Sequence, residues 1–142
     1  MFIPNNNYKD SDYLLKDIQN NYLFIINKQR KSIQILEKKL QRKQTVNLSF
    51  YHPESKGINS DIDPNNTATM TKPTVGRTIA ISKELFDLGW LGNKIYIDGF
   101  GVFIAEDRMS SGIKGKCIDI CVDSKEKAFQ LGKKYNVLAV ML

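Results

Sequence analysis

The sequence predicts a mainly β domain that closes into a small barrel and follows a long N-terminal helix. Three observations carry this prediction: a helical pattern from Asp10 to about Lys43, six short strand patterns after it, and one further helix at Ser124 to Lys134. Six short strands and a single clear helix are typical of a closed six-stranded barrel rather than of an open parallel sheet. A chain of 142 residues is long enough for one such domain and an appendage.

The N-terminal helix is predicted because residues 10–43 contain no Gly or Pro, and Asp10 or Ser11 can cap its start. Eight of its residues follow alternating steps of four and three, the spacing of a coiled-coil seam. They are Leu15, Gln19, Tyr22, Ile26, Gln29, Ile33, Leu36 and Leu40. Two glutamines weaken this seam. Self-association into a homo-oligomer, docking on a virion partner and packing on the chain's own domain therefore all stay open.

The formal net charge of +6 is concentrated in the same segment. Residues 28–43 carry seven basic residues and one acid, Glu37, whereas the chain from Val46 onward carries twelve basic and eleven acidic residues. Such a charge run is usually a solvated face, and basic residues near the end of a helix also complement its dipole. Nucleic-acid binding is therefore the less favoured interpretation, although an anionic polymer could contact this cluster.

The sequence predicts no secretory signal and no membrane span. The first seven residues lack a basic region and a long apolar region, and the longest apolar run, Tyr22 to Ile26, is too short to cross a bilayer. Cys117 and Cys121 share one predicted strand and lie about 13 Å apart along it, beyond disulfide reach. Because His52 is the only histidine, neither a metal site nor a cofactor is predicted.

The barrel domain is predicted to span residues 44–142, with the helical segment at residues 1–43. Its first strand is Thr45 to Tyr51, where Val46, Leu48 and Phe50 alternate with polar residues. The stretch from His52 to Pro73 has the composition of a long loop and is expected to line a site. The other strands are predicted at Arg77 to Ile81, Lys94 to Ile97, Val102 to Glu106, Lys116 to Val122 and Val137 to Met141, with a hairpin turn at Asp98-Gly99.

Two aspartates, Asp107 and Asp119, lie at the ends of apolar strand patterns and are joined through a glycine-containing loop. Isolated carboxylates in such surroundings are costly unless they are paired or used, so the sequence predicts a carboxyl-based active site. Strand alternation places Asp119 on the face of Cys117 and opposite to that of its isoleucine neighbours. The alternative is that Lys114 or Lys116 neutralises either aspartate.

Four sequence blocks then resemble the three-aspartate (3D) domain family. They are TATMTKPTVGRTIAIS from Thr67 to Ser82, LGNKIYIDGFGVFIAED from Leu91 to Asp107, IKGKCID from Ile113 to Asp119, and AFQLG from Ala128 to Gly132. The resemblance covers roughly residues 45–142 and keeps the order of the motifs. It implies a double-psi β-barrel, similar to that of membrane-bound lytic murein transglycosylase A, that cleaves the glycan strand of peptidoglycan.

The family's functional residues transfer position by position. Asp119 matches the last aspartate, the expected catalytic acid and base, and Asp107 matches the middle one. Ser82 stands where the family has its first aspartate, a departure that resembles the phage-type branch. A virion or a phage-infected host cell is therefore the expected location, and a soluble cytoplasmic location is the alternative. Contacts with the sugar or its substituents are expected from Ser82, Thr67, Tyr51, Lys114 and Lys116.

The resemblance implies cleavage of the β-1,4 bond between N-acetylmuramic acid and N-acetylglucosamine. In a lytic transglycosylase the substrate's own C6 hydroxyl attacks, so one carboxyl group can act first as acid and then as base. Asp119 then needs a raised pKa, for which burial and the nearby Asp107 carboxylate are the expected causes. The alternative is a catalytically silent barrel that serves as a structural or glycan-binding component of a virion.

Overall fold

The computed structural model describes residues 7–53 and 66–142, which fall in two compact units, Met1–Lys39 and Leu40–Leu142. Three helices lie in the described part, α1 (Asn7–Arg42), α2 (Lys83–Asp87) and α3 (Lys125–Leu131). Six strands are β1 (Lys43–Tyr51), β2 (Thr78–Ile81), β3 (Lys94–Ile97), β4 (Gly101–Arg108), β5 (Cys117–Cys121) and β6 (Lys134–Met141). Within these residues, no helix combines the length and apolar character that a membrane crossing requires.

The six strands close into a barrel in the order β1-β5-β2-β4-β3-β6. This confirms the predicted closed barrel that follows a long N-terminal helix in the sequence. Two of its pairings, β1 with β5 and β2 with β4, are parallel, and the other four are antiparallel. The strands β1, β2 and β3 correspond to β4, β5 and β6 in that order. If each strand is replaced by its counterpart, the same pairs result, with the same parallel or antiparallel direction. The barrel thus consists of two similar halves, each with a short helix after its second strand.

The barrel interior is filled by alternate residues of the strands, as a period of two requires. Leu48 of β1, Ile79 and Ile81 of β2, and Ile118 of β5 are all at most 2% exposed. Fully burying such a side chain contributes about 1.5–3 kcal/mol. Trp90 is also completely buried, and its indole Nε1 donates a hydrogen bond to the carbonyl of Gln41 at 2.9 Å. Trp90 is therefore a core residue.

Several boundaries differ from the predicted ones. The third helix ends at Leu131 rather than Lys134, because Gly132 with φ of 61° terminates it and Lys134 already pairs with Leu48 in β6. The sequence analysis missed α2, a five-residue helix whose N-cap position is Ser82. Across the whole described chain, helix and strand are similar in amount, and only the unit Leu40–Leu142 is mainly β.

The hairpin predicted at Asp98-Gly99 is confirmed, since β3 and β4 pair antiparallel with Ile97 opposite Gly101. Gly99 has φ of 78°, a conformation that residues with a Cβ rarely adopt. Close approach of another backbone is not the reason for glycine here, since a Cβ at Gly99 would meet nothing within 4 Å. The positive φ of the turn is the reason instead.

A bulge between β2 and β4 is built around Glu106. Ile79 faces Ala105 and the next residue, Ala80, faces Asp107, so Glu106 is the extra residue. Glu106 is 2% exposed. Its Oε1 accepts hydrogen bonds from Arg77 Nε and Nη2 at 3.1 and 2.7 Å, and its Oε2 accepts one from Thr78 Oγ1 at 2.7 Å. These bonds compensate the burial of a carboxylate and hold the bulge.

Substitution of Thr78 by Val tests this bulge. Thr78 Oγ1 donates to Glu106 and accepts from the backbone N–H of Thr74 at 2.8 Å, so its loss removes one donor from the buried Glu106 carboxylate and the acceptor of the Thr74 N–H. We expect the free energy of unfolding in urea to fall by about 1–3 kcal/mol. Thr74→Val, at an exposed position of the same segment, is the matched control and should cost well under 1 kcal/mol, about the usual surface effect. Equal effects of the two substitutions would contradict this role of Thr78.

Candidate active site

Four residues form a row across neighbouring strands on the outer face of the barrel. Ser49 of β1 lies opposite Asp119 of β5, Asp119 lies opposite Ala80 of β2, and Ala80 lies opposite Asp107 of β4. Because residues in register point to the same side of a sheet, and the flanking residues of β1, β2 and β5 fill the core, this row faces outward. The Cα atoms of the two aspartates are two strand spacings apart, about 10 Å.

Asp119 is a partly buried carboxyl group in the middle of β5. Its Oδ1 accepts a hydrogen bond from Ser49 Oγ at 2.9 Å. Burial raises its pKa from the ordinary 3.8 to about 6, and the Ser49 hydrogen bond opposes that rise because it favours the ionised form. The raised pKa agrees with the expectation from sequence. Burial is its cause, and the repulsion expected from Asp107 does not contribute.

The lysines that could have neutralised Asp119 bind elsewhere. Lys116 Nζ donates a hydrogen bond to Gln44 Oε1, and Lys114 lies near Glu84, whose pKa it helps to lower. None of the ion pairs formed by residues 7–53 and 66–142 includes Asp119. Both lysines are exposed at the edge where β5 begins. Their predicted role as substrate contacts stays a prediction.

Asp107 organises the backbone around the other end of the row. Its Oδ1 accepts hydrogen bonds from the backbone N–H of Ala68 at 3.0 Å and of Arg108 at 2.8 Å. The N–H of Thr69 also donates to the carbonyl of Glu106 at 3.0 Å. The carboxyl group of Asp107 therefore attaches the segment that begins near residue 66 to the end of β4.

Tyr51 is a buried phenol whose pKa is affected by the charges of both Asp107 and Asp119. It is 3% exposed, and burial is the main cause that raises the pKa of its phenol, with further contributions from Cys121, Asp107 and Asp119. The Cys121 thiol acts on this phenol both through charge and through a side-chain hydrogen bond, although the contact falls outside strict hydrogen-bond geometry among the described residues. The Tyr51 hydroxyl therefore stays protonated and is a buried donor close to both carboxyl groups.

A groove of about 160 Å³ runs beside this row on the same outer face. It is lined by Asn47, Leu48, Ser49, Met109, Ile113, Cys117, Lys133 and Tyr135. Ser49 belongs both to the groove and to the hydrogen bond with Asp119, so the groove lies one hydrogen bond away from the carboxyl group, although Asp119 does not itself line it. It offers a hydroxyl, an amide, an amine and an aromatic ring, the mixture that binds polar small molecules.

Several residues of this site were not predicted. Strand alternation in β1 put Asn47 and Ser49 on the polar face, which was the available signal for them. Their position beside Asp119 follows from the parallel pairing of β1 with β5, across 70 residues of sequence, and no local pattern specifies it. Lys133 and Tyr135 carried no signal in the sequence.

Two predicted contact residues use their hydroxyl groups inside the protein. Ser82 is completely buried, and its Oγ accepts a hydrogen bond from the N–H of Cys117 at 3.0 Å. Thr67 is 3% exposed, and its Oγ1 lies 2.8 Å from Thr71 Oγ1 and accepts from the Thr71 N–H at 3.1 Å. A ligand would reach either hydroxyl only after local rearrangement. Of the predicted site loop, residues 54–65 lie outside the described residues.

The Ser49 hydrogen bond gives a test of the electrostatics. Ser49→Ala removes a donor that favours the ionised carboxylate, so we expect the pKa of Asp119 to rise further, by about 0.5–1 unit. The shift is measurable by carboxyl ¹³C NMR titration of both proteins. Ser32→Ala, in the exposed part of α1, should leave the Asp119 titration unchanged. A lower pKa of Asp119 in Ser49→Ala would contradict the assigned direction.

Asp119 should also make stability depend on pH. Its folded pKa of about 6 exceeds its ordinary value, so the folded state binds the proton more tightly and loses stability as pH rises from about 4 to above 6. Asp119→Asn removes this loss. The variant should gain about 1–3 kcal/mol in free energy of unfolding relative to wild type between pH 4 and pH 7.5. Asp98→Asn, in the exposed hairpin turn, is the control and should not show this gain. If the difference in free energy of unfolding between Asp119→Asn and wild type does not change with pH, the assigned role of Asp119 is wrong.

Comparison with protein-family models and with curated proteins finds no match to this chain. Within the described residues, no group of three or more His, Cys, Asp or Glu side chains is placed to hold a metal ion. The candidate site consists of one carboxyl group of raised pKa, a hydroxyl group that donates a hydrogen bond to it, and an open groove beside them.

Proposed function

We propose that the barrel is a 3D-type double-psi domain that cleaves peptidoglycan glycan strands as a lytic transglycosylase, with Asp119 as its acid and base. The observation that carries the proposal is the state of Asp119: a partly buried carboxyl group beside an open groove, with a pKa raised to about 6. General acid catalysis near neutral pH requires a carboxyl group of this kind.

The strand pairing supports the proposed fold. A double-psi barrel contains two interlocked units related by approximate two-fold symmetry, each with a parallel pair formed across a crossover. Here β1 pairs in parallel with β5 and β2 with β4, and the exchange of the two halves leaves the pairing pattern unchanged. The central antiparallel pair, β2 with β5, joins the two halves and carries Asp119.

In the proposed reaction, protonated Asp119 donates its proton to the glycosidic oxygen between N-acetylmuramic acid and N-acetylglucosamine. With a pKa of about 6, about one molecule in ten carries this proton at pH 7. The carboxylate then accepts the proton of the C6 hydroxyl as that oxygen attacks the anomeric carbon, which gives the 1,6-anhydro product. Both steps need only one carboxyl group, so they are compatible with a serine at position 82.

The neighbouring groups have separate roles in this proposal. Ser49 fixes the orientation of the Asp119 carboxyl through its hydrogen bond, and the neutral hydroxyl of Tyr51 supplies a buried donor beside it. Asp107 holds the backbone at the end of the row. The groove residues Tyr135 and Lys133 would contact the sugar ring and an anionic substituent such as the lactyl or peptide carboxylate.

A second candidate is a silent barrel that binds glycan without cleaving it, as a structural component of a phage particle. Two observations favour it. The hydroxyl of Ser82 is buried in a hydrogen bond to β5 and brings no charge to the site. The Asp107 carboxyl accepts two backbone hydrogen bonds, as a structural aspartate in a turn does.

Digestion of purified sacculi separates the two candidates. Wild type, Asp119→Asn and the control Asp98→Asn are incubated with sacculi at pH 6, and the released muropeptides are identified by mass. The transglycosylase predicts 1,6-anhydro muropeptides from wild type and Asp98→Asn, and at least a hundredfold less from Asp119→Asn, about the usual contribution of an acid–base group.

The outcome is interpreted on protein shown to be folded by circular dichroism. If the products depend on Asp119 but carry ordinary reducing ends instead of 1,6-anhydro ends, the enzyme is a hydrolase and not a lytic transglycosylase. No product from wild type, together with sedimentation of the protein with sacculi, would favour the silent barrel. Neither cleavage nor sedimentation would reject both candidates.

A further inference from the structure

Helix α1 carries a large apolar surface that is exposed among the described residues. Every side chain from residue 9 to residue 42 is exposed. The large apolar ones are Tyr13, Leu14, Leu15, Ile18, Tyr22, Leu23, Phe24, Ile25, Ile26, Ile33, Ile35, Leu36 and Leu40. Most of the stability of a helix in a protein comes from packing its apolar face, so a 36-residue helix of this composition requires a partner surface.

We propose that α1 assembles with the α1 helix of a second copy of this chain, parallel and in register. The contact is the α1 seam, formed by Leu15, Gln19, Tyr22, Ile26, Gln29, Ile33, Leu36 and Leu40. Because α1 is one uninterrupted helix from Asn7 to Arg42, these eight residues lie along a single stripe. Six of the eight are apolar, which suits the core of a coiled coil.

The two glutamines of the seam determine the partner and its direction. In a parallel pair in register, Gln19 meets Gln19 and Gln29 meets Gln29, and each amide supplies both the donor and the acceptor that the other needs. An antiparallel pair centred on the same seam would put Gln19 opposite Leu36 and Gln29 opposite Ile26. Each buried amide would then lack a partner, which is strongly unfavourable. A partner of different sequence would have to supply polar groups at both layers.

The charges of the segment do not oppose this arrangement. Across a parallel interface, flanking residues five positions apart meet, and the pairs here are Ile18 with Leu23, Ile25 with Arg30, and Ser32 with Glu37. None of these pairs joins like charges. Lys28, Lys31, Lys38 and Arg42 lie at heptad positions that point away from the seam, whereas Arg30 and Lys39 flank it, so most of the positive charge of the segment remains in solvent.

The apolar area is sufficient for a stable pair. Ile18, Leu23 and Ile25 flank the six apolar seam residues and widen the stripe in its middle. Nine such side chains from each copy, at roughly 60–120 Å² apiece, bury about 1,100–2,200 Å² in total. Specific interfaces need about 1,000 Å² or more. Tyr13, Leu14, Phe24 and Ile35 lie on other faces of α1, and the seam does not explain them.

Disulfide trapping in the full chain tests the proposal. Gln29→Cys puts a thiol in the seam, where two copies in register bring the Cα atoms within disulfide range. Under mild oxidation it should form a covalent dimer at least ten times faster than Lys31→Cys, whose thiol points away from the seam. Wild type is the control for Cys117 and Cys121, which are half-buried and buried. In the antiparallel arrangement Gln29 lies opposite Ile26, so a mixture of Ile26→Cys and Gln29→Cys would then form a mixed disulfide between the two variants.

Light scattering of wild type at tens of micromolar supplies the second measurement. It should give two or more copies per particle, and Ile26→Asp with Ile33→Asp should give a monomer whose barrel circular dichroism is unchanged. A monomeric wild type, equal trapping of Gln29→Cys and Lys31→Cys, or trapping in the mixture alone would each overturn the proposal. These results do not depend on whether the barrel cleaves peptidoglycan.

Discussion

The position of β5 between β1 and β2 is the constraint on which the candidate site depends. Ile118 and Ile120 of β5 are buried in the core, and this fixes which face of the strand points outward. A slip of one residue would bury Asp119 in the core and expose the isoleucines, so apolar packing holds the acidic group in place. The same register sets Ser49 opposite Asp119. The geometry of the site is therefore a consequence of the core.

The carboxyl groups of Glu106, Asp107 and Asp119, on strands β4 and β5, have different environments, and these differences explain their different roles. Glu106 is almost fully buried and is bound by Arg77 and Thr78, so it stabilises the bulge. Asp107 follows the bulge and accepts backbone hydrogen bonds. Asp119 is partly buried with a single hydroxyl donor, which leaves the desolvation of its charge largely uncompensated. Asp119 is therefore the carboxyl group whose environment the proposed chemistry requires.

Much of the barrel could be predicted from the sequence, because alternation of apolar and polar residues specifies a half-buried strand locally. The parallel pairing of β1 with β5 could not, because it joins residues 70 positions apart through a crossover. Helix α2 has five residues, too few to show a helical period. The burial of Ser82 follows from its place between β2 and α2, and no property of serine indicates it. For Asp119, the predicted direction of the pKa shift is confirmed, whereas the predicted contribution of Asp107 to that shift is wrong, because burial alone raises the pKa.

The most direct test of the account is the pKa of Asp119 in the wild-type protein. Aspartate labelled with ¹³C at the side-chain carboxyl, with Asp119→Asn to assign the resonance, gives its titration in the full chain. The account predicts a midpoint at about pH 6. A midpoint at or below the ordinary 3.8 would mean that the carboxyl group is ionised throughout the neutral range, and it would contradict the proposed role as an acid.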